Sequence, residues 1–335
     1  MARLLMQPTI RDGLQKVGSQ NLPGTIEDWL GADPDVAAFS DYAGDAHDAK
    51  YEVFATYLVH VNTVQSLLSS IEALKDHHGI AGRTVDFKGR KDKKKLAALR
   101  EYIALFANHP GVCIAVCWDK RHLAFRRRQQ ERKDLREAIA QRLGVELKVE
   151  VAERLMKAIG FLPVVGHGLR DGDRVLWVSD DDAILDGACA TQVAPSLQAL
   201  STQVIAARLA RLEHSTPRDD QDETLLTLPD LVAGTLAASL PSPLPRGQRI
   251  SSPDPTTNSL LGYLSQLHLA TRLLVILVEA NPQKETLTPR AVHLAPSEAT
   301  AWSSQPTEPD WASRTLAKLG TFTHLGGVPG GWRRR

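Results

Sequence analysis

Hydrophobic residues in this chain occur in two patterns, short continuous runs and stripes with helical spacing. Continuous runs bounded by polar or turn residues are typical of buried strands. They occupy residues 36–38, 51–59, 112–118 and 175–179. Apolar residues also recur with helical spacing from Asn62 to His77, and a second stripe ends at Asn108, so we predict two helices that bury one face each. Strands that alternate with helices predict an α/β protein with a mixed sheet.

The second half of the chain has a less regular pattern. Residues from Ala183 to about His214 have helical spacing, and a further helix is predicted to begin with Pro229 and Asp230 in its first turn. Residues 241–247 are rich in proline and are the strongest linker signal. Beyond them, one apolar helix is predicted over Asn258–Val278. We therefore expect three regions, namely an N-terminal extension (1–35), a main domain (36–240) and a Pro-rich linker with a helical C-terminal extension (241–335).

The composition is 43% hydrophobic and 24% charged, which is ordinary for a water-soluble globular protein. No apolar run reaches the about 20 residues that a membrane-spanning helix needs, and the first residues lack the apolar core of a signal peptide. Cys113 and Cys117 lie in an apolar run and Cys189 in a predicted helix, so we interpret the three thiols as core residues rather than as a disulfide framework or zinc site. These features predict a cytoplasmic protein that does not associate with membranes.

Charge is distributed unevenly, although the net charge of the whole chain is only +1. Between Arg83 and Arg136, sixteen Lys and Arg stand against six Asp and Glu, which gives this segment a net charge of +10. Such an imbalance suggests a polyanionic partner, although a charged run is more often a solvated helix face. Residues 90–95 place several cations in the first turn of a predicted helix, where the helix dipole disfavours them. A local rule broken without structural gain points to function.

Acidic residues follow several of the predicted strands. Asp41 precedes a glycine turn, three consecutive acids begin at Asp180, and Asp119 ends another strand. Each acid taken alone is commonly a turn or cap residue. Together with Asp86 in a short extended segment and Asp230 at a helix start, they are the hard oxygen ligands that suit Mg²⁺ and Mn²⁺. Two such ions stabilise the attacking and leaving oxygens of phosphoryl transfer, and the basic segment would offset phosphate charge.

Four short motifs, in this order, resemble a bacterial family catalogued as domain of unknown function 3800, to which a ribonuclease H-like fold is attributed. The motifs are Ser40-Asp41-Tyr42-Ala43-Gly44-Asp45, Asp86-Phe87-Lys88-Gly89, Val116-Cys117-Trp118-Asp119-Lys120 and Pro229-Asp230-Leu231-Val232-Ala233-Gly234. The resemblance covers roughly residues 36–240, and Tyr42 stands where the family usually has Glu. It implies a ribonuclease H-like mixed sheet flanked by helices, with a small C-terminal extension.

The resemblance also implies an acidic site that uses Mg²⁺ or Mn²⁺. The implied catalytic residues are Asp41, Asp86, Asp180, Asp182 and Asp230, of which Asp41, Asp86, Asp180 and Asp230 hold the metal. The implied nucleic-acid contacts are Lys88, Arg90, Lys91 and Lys93, and Asp119 is held in reserve beside the site. The expected function is a metal-dependent nuclease that hydrolyses the phosphodiester bonds of RNA or DNA with an activated water and no covalent enzyme intermediate.

Other interpretations stay open at this level. The chain could be an inactive ribonuclease H-like module that binds nucleic acid or protein, with Tyr42 marking the lost chemistry. In either case, the apolar helix predicted over 258–278 could form a homo-oligomer or complex interface. His167, between two glycines, is a loop histidine or a general base, and His77 and His78 are interpreted as cations of a helix end rather than metal ligands. The sequence contains no phosphate-loop, dinucleotide-binding or nucleophile-elbow motif.

Overall fold

A seven-stranded mixed sheet forms the centre of the protein. The computed structural model describes residues 8–22, 24, 35–44, 49–120, 133, 137, 140–141, 149–166, 168–180, 209, 211–215, 220–241, 244, 250–267, 271–281, 286–292 and 294. The strands are β1 (Asp35–Ala43), β2 (Tyr51–His60), β3 (Gly111–Asp119), β4 (Arg174–Ser179), β5 (Arg211–Ser215), β6 (Thr271–Asn281) and β7 (Thr286–Val292). Their order across the sheet is β5-β4-β1-β2-β3-β6-β7. Strands β2 and β7 run antiparallel to the other five.

Helices cover both faces of this sheet. They are α1 (Pro8–Asn21), α2 (Val61–His77), α3 (Lys93–Asn108), α4 (Val149–Ala158), α5 (Phe161–Val165), α6 (Asp220–Ser239) and α7 (Pro255–Leu264), with a 3-10 turn at Lys88–Lys91. Helices α2, α3, α6 and α7 share one apolar core with the sheet, and α1, α4 and α5 share the other. Because successive strand residues point to opposite faces, strands buried on both sides need continuous apolar runs. The predicted α/β class with a mixed sheet flanked by helices is confirmed.

The two helices predicted in the first half of the chain are confirmed as α2 and α3. Helix α3 begins where Asp92 accepts hydrogen bonds from the backbone N–H groups of Lys94 (2.9 Å) and Lys95 (3.3 Å). This carboxylate at the N-cap satisfies donors that have no partner within the helix. Helix α2 ends before Gly79, whose positive φ of 62° is a conformation that favours glycine. Local capping therefore sets both helix boundaries.

Buried thiols and indoles lie where the sequence predicts core. Cys113, Cys117 and Trp177 are fully or almost fully buried, and Trp118 is 7% exposed. The Trp177 indole N–H donates to the hydroxyl of Ser40 over 2.9 Å. Burial raises the pKa of both cysteine thiols, which keeps them protonated and unreactive. The interpretation of Cys113 and Cys117 as core residues is confirmed, and Cys189 lies outside the described residues.

Helix α6 begins well before the predicted start at Pro229. It runs from Asp220 to Ser239 with Pro229 in its interior. A proline there removes one hydrogen bond of the helix. Leu225, Leu228 and Leu231 are buried on both sides of the proline, so packing on the sheet holds the helix together across it. The prediction placed proline at a helix start because that is where an isolated helix tolerates it best.

The prediction of a single helix over Asn258–Val278 is wrong. Helix α7 ends at Leu264, and β6 begins at Thr271 and pairs in parallel with β3. A short apolar run does not by itself distinguish a buried helix from a buried strand. The helix predicted to extend to about His214 is also wrong at its end, where Arg211–Ser215 form β5. Residues 183–208 of that prediction lie outside the described residues.

The N-terminal helix α1 packs on α5 and β7. Leu14 and Leu22 are buried in the same core cluster as the sheet. A Cβ atom at Gly18 would lie 2.0 Å from the carbonyl oxygen of Val164, so only glycine permits this approach of α1 to α5. None of the described helices combines the length and the hydropathy that crossing a membrane would require.

Candidate functional site

Two of the predicted acids lie side by side at the ends of neighbouring strands. Ser40 of β1 is the parallel partner of Ser179 of β4, and the next residues along these strands are Asp41 and Asp180. The Asp180 N–H donates to the carbonyl oxygen of Ser40 over 3.2 Å, which continues the pairing by one residue. Paired residues of parallel strands present their side chains to the same face. Asp182, also predicted as catalytic, lies outside the described residues.

Helix α6 brings a third acid, Asp230, onto the same face. This helix packs against β1 and β2, and the Asp230 carboxyl lies within hydrogen-bonding reach of Asp41. Burial, followed by the charge of Asp230, raises the pKa of Asp41 to about 8. Burial also raises the pKa of Asp230 to about 6. Burial therefore favours a protonated carboxyl in this pair. We refer to Asp41, Asp180 and Asp230 as the aspartate cluster.

The turn before α3 supplies the fourth predicted acid, Asp86, and holds Asp230 in place. The backbone N–H of Phe87 donates to the Asp230 carboxylate. The Asp86 carboxylate accepts from the backbone N–H of Gly89 and lies 3.6 Å from the ammonium of Lys95. Its charge reaches Asp230 and contributes to raising the pKa of that residue. Asp86 therefore closes the turn at the margin of the cluster.

The Phe87 side chain fixes this turn against α6. A Cβ atom at Gly234, one helical turn after Asp230, would lie 2.3 Å from Cγ of the Phe87 ring. The Arg90 guanidinium lies over the face of this ring, with its carbon 4.0 Å from the ring centroid. Arg90 also donates to the Phe87 carbonyl oxygen (3.0 Å) and lies 3.6 Å from the Asp254 carboxylate. Arg90, predicted to contact nucleic acid, is thus engaged within the protein.

The remaining predicted phosphate-binding residues lie on the surface of the segment from Asp86 to Lys93, which we call the basic turn. Lys88, Lys91 and Lys93 are exposed. The positive charge of Lys88 reaches Asp230 and acts to lower its pKa. Lys91 and Lys93 make no hydrogen bond or ion pair with any residue that the structure describes. Three cations with this exposure lie on the turn that holds the aspartate cluster.

Tyr42, at the position where the resembled family has Glu, faces away from the aspartate cluster. Its ring packs against Phe54 with centroids 5.0 Å apart, in the core shared with α1, α4 and α5. Asp41, the preceding strand residue, points to the opposite face, where α6 lies. A residue in this position of β1 therefore packs beneath the sheet and does not project towards Asp230.

Asp119, the acid held in reserve, lies away from the cluster. It is buried at the end of β3 opposite Tyr51, whereas Asp41 pairs with Ala55 of the same strand β2. Four residues of strand span about 13 Å, and Asp119 is also two strands away from Asp41. The sheet register therefore separates Asp119 from the aspartate cluster. His167, the other reserve candidate, lies outside the described residues.

A different part of the surface brings together three residues whose side chains can bind a metal ion. One ligand atom each of His77, His78 and Glu101 lies within 4.8 Å of the other two. Among the described residues, the aspartate cluster does not form such a set. The sequence alone does not bring this group together, because the histidines lie at the end of α2 and Glu101 lies on α3. Nor does it identify Phe87, whose contribution is a backbone N–H, and the only signal is its place in an Asp-Phe-Lys-Gly motif.

No family model, curated protein or solved structure matches this chain. The resemblance to the family of unknown function 3800 therefore depends on the four sequence motifs alone. Functional arguments accordingly depend on the geometry of the chain's own residues.

Proposed function

We propose that this protein is a metal-dependent nuclease that hydrolyses phosphodiester bonds of RNA or DNA. The observation that carries the proposal is the convergence of Asp41, Asp180 and Asp230 from two parallel strands and a helix. Three carboxylates on one face, beside a basic turn, combine ligands for a divalent cation with contacts for phosphate. This combination of charges is what a nuclease requires.

The proposed fold is ribonuclease H-like. Strands β1, β2 and β3 form an antiparallel meander, and β4 and β5 add to β1 on its other side and parallel to it. A mixed sheet with helices on both faces is what the sequence resemblance implies, and this agreement supports the proposal. Strands β6 and β7 extend the sheet beyond β3.

The aspartate cluster has the donor chemistry for Mg²⁺ or Mn²⁺. Asp41 and Asp230 are close and largely buried, so ionising both without a cation is unfavourable, as the raised pKa of Asp41 indicates. Asp41, Asp180 and Asp230 would hold the ion, with Asp86 at the margin and Asp182 as a further predicted contributor. When bound, such an ion stabilises the charge of the attacking and leaving oxygens in phosphoryl transfer. The Phe87 N–H keeps the Asp230 carboxylate oriented for this role.

The basic turn is the proposed contact for the nucleic-acid backbone. Lys88, Lys91 and Lys93 are exposed, so they are free to approach phosphate groups. Arg90 acts differently in this proposal, because its contacts with Phe87 and Asp254 make it a residue that positions the turn. Contacts of this kind bind nucleic acid without reading its sequence and weaken as salt rises.

The second candidate function is an inactive module that binds nucleic acid. It is favoured by one observation, namely that the cluster does not bring three ligand oxygens within 4.8 Å of one another among the described residues. A binding module would keep its affinity in chelator, whereas a nuclease loses cleavage when the metal is removed. The two functions are therefore separated by metal dependence.

The test is cleavage of labelled single-stranded, double-stranded and hybrid nucleic acids in Mg²⁺ or Mn²⁺. Asp41→Asn and Asp230→Asn are expected to lower the cleavage rate by about 100-fold or more, because each removes a ligand charge. Asp119→Asn is the matched control, since it changes a buried strand-end aspartate outside the cluster. Cleavage that persists in chelator, or that survives both cluster substitutions in folded protein, would contradict the proposal.

A further inference from the structure

The end of α2 and the middle of α3 together present two imidazoles and a carboxylate. His77 is the last residue of α2, His78 follows it, and Glu101 lies on α3, which packs against α2. One ligand atom from each residue lies within 4.8 Å of the other two. His77 is exposed and His78 and Glu101 are half-buried, so the group is accessible from solvent. It shares no residue with the aspartate cluster.

The helix end explains how two adjacent histidines approach one point. Within a continuous helix, neighbouring residues point in different directions. His78 lies beyond the helix, with φ of −86° and ψ of 0°, and Gly79 follows with a positive φ of 62°. The two rings are therefore perpendicular, with centroids 5.1 Å apart and an angle of 83° between their planes. In this arrangement one ligand atom of each ring lies within 4.8 Å of the other and of Glu101.

The separation between His78 and Glu101 fits a shared metal ion. The His78 Nε2 atom is buried, makes no hydrogen bond among the described residues and lies 3.4 Å from the Glu101 Oε2 atom. Zinc bonds to nitrogen and oxygen of about 2.0–2.1 Å in tetrahedral geometry place neighbouring ligand atoms about 3.3–3.4 Å apart. The observed distance is thus that of one edge of a zinc coordination tetrahedron. Buried ring nitrogens usually form a hydrogen bond, and His78 Nε2 forms none among the described residues.

We propose that His77, His78 and Glu101 form a Zn²⁺ site with a fourth position open to solvent. Two imidazoles and one carboxylate suit Zn²⁺, whereas Mg²⁺ prefers oxygen ligands alone. The position at the C-terminus of α2 also favours a cation, because the helix dipole is negative there. Bound Zn²⁺ would tie the end of α2 to α3 and stabilise the folded state.

A simpler explanation treats the two histidines as helix-end cations, one of them paired with Glu101. It accounts for the contact between His78 and Glu101 and for the location of both rings. It does not require the ligand atoms of all three residues to lie within 4.8 Å of one another, which a shared metal ion does require. The two explanations differ in one measurable respect, which is saturable binding of Zn²⁺ that depends on all three residues.

The experiment is a calorimetric titration of the full chain with Zn²⁺. Asp41→Asn is present throughout, so that zinc binding at the aspartate cluster does not contribute. One Zn²⁺ is expected to bind, and His78→Gln and Glu101→Gln are each expected to weaken it by about tenfold or more, since even outer residues of metal sites have effects of this size. His109→Gln is the matched control, because this histidine hydrogen-bonds the Leu105 carbonyl oxygen and is not part of the group.

Thermal unfolding supplies the second readout. Zn²⁺ is expected to raise the unfolding midpoint of the parent protein and of His109→Gln, and to raise that of the ligand variants less, because weaker binding stabilises the folded state less. A cooperative unfolding transition in chelator verifies that each variant is folded. If His78→Gln or Glu101→Gln does not fold, His77→Gln is used in its place, because His77 is exposed. Absence of saturable Zn²⁺ binding by the full chain would overturn the site. Equal binding by the parent and the ligand variants would overturn it as well.

Discussion

Asp41 is the residue on which the proposed chemistry depends most. It is 8% exposed, faces the Asp230 carboxyl and has a pKa raised by burial to about 8. Burial therefore favours the protonated form of the Asp41 carboxyl, whereas the proposed role in metal binding needs the ionised form. A divalent cation supplies the charge that makes ionisation favourable, so metal binding and deprotonation are coupled at this residue.

The raised pKa of Asp41 predicts how stability depends on pH. Between the unfolded value near 3.8 and the folded value near 8, the folded state binds more protons than the unfolded state. The stabilising contribution is therefore complete below pH 4 and is lost as pH rises towards 8. In chelator, the stability of Asp41→Asn relative to the parent is expected to rise by up to about 4 kcal/mol between pH 5 and pH 8. Urea unfolding at both pH values measures this difference, and a difference that does not vary with pH would contradict it.

How far the sequence predicts the site depends on the kind of contact. Asp41, Asp180 and Asp230 are predictable because strand ends and short motifs identify them. The role of Phe87 is not predictable from residue type, since it acts through a backbone N–H. The different role of Arg90 required knowledge of Asp254, which lies in another part of the sequence. Contacts between distant segments depend on the fold and leave no local pattern.

At the scale of elements, the basic turn and α6 form one unit. The Phe87 ring occupies the space that a side chain at Gly234 would need, and its N–H holds Asp230. The same turn exposes Lys88, Lys91 and Lys93. Packing of the turn on α6 therefore determines the position of both an acid and the neighbouring cations.

Gly234→Ala tests this packing. The added methyl group is expected to displace the Phe87 ring and cost roughly 1–3 kcal/mol, as overpacking of a core does. In a Phe87→Ala background the contacts with ring atoms Cγ and Cδ1 are absent and only the 2.8 Å contact with Cβ remains, so the same substitution is expected to cost less than in the parent protein. Urea unfolding of the four proteins measures the coupling between the two sites. If Gly234→Ala cost the same stability in both backgrounds, the position of the Phe87 ring would not depend on the absence of a side chain at Gly234.

The basic turn also predicts how nucleic-acid binding responds to salt. Lys91→Ala and Lys93→Ala are each expected to reduce the slope of log K against log salt by about 0.9 for double-stranded DNA, provided each lysine neutralises one phosphate. Lys16→Ala on α1 is the control, because α1 lies on the opposite face of the sheet. Fluorescence anisotropy in chelator measures binding without cleavage. If neither lysine variant changes the slope of log K against log salt, the basic turn does not contact nucleic acid.

Element prediction succeeded where the local pattern and the tertiary environment agreed. Helices α2 and α3 and strands β1 to β4 have apolar spacing that matches the faces they bury. The start of α6 was mispredicted because Pro229 is a local signal that packing overrides. Strand β6 was mispredicted because its partner β3 lies far away in sequence, and only that pairing distinguishes strand from helix.

At the scale of the whole molecule, described residues on both sides of the predicted main domain contribute to the central cores. Helix α1 packs on one face of the sheet, and β6 lies between β3 and β7. The apolar residues of α7 and β6 are buried against the chain's own sheet, for example Leu260 and Ile276. The described part of the predicted 258–278 helix therefore leaves no apolar face exposed for an interface.

Ile276→Ala tests whether β6 belongs to the core of the main domain. Ile276 is fully buried in the cluster shared with β1, β3 and α1, so its truncation is expected to cost roughly 2–5 kcal/mol of global stability. Arg272→Ala on the same strand is the control and is expected to change stability by less than about 0.5 kcal/mol, because Arg272 is exposed. Unfolding followed by circular dichroism measures both. A second transition that alone responds to Ile276→Ala would mean that β6 unfolds separately.

The most direct test of the central claim is calorimetric titration of Mn²⁺ into the full chain at pH 7. Two buffers with different heats of ionisation report the protons released on binding. The parent protein is expected to release about one proton per ion from the Asp41 and Asp230 pair, because metal ligands must be deprotonated. Asp41→Asn and Asp180→Asn are expected to lose this binding, and Asp119→Asn to retain it. Binding without proton release, or equal binding by all four proteins, would contradict a metal site at the aspartate cluster.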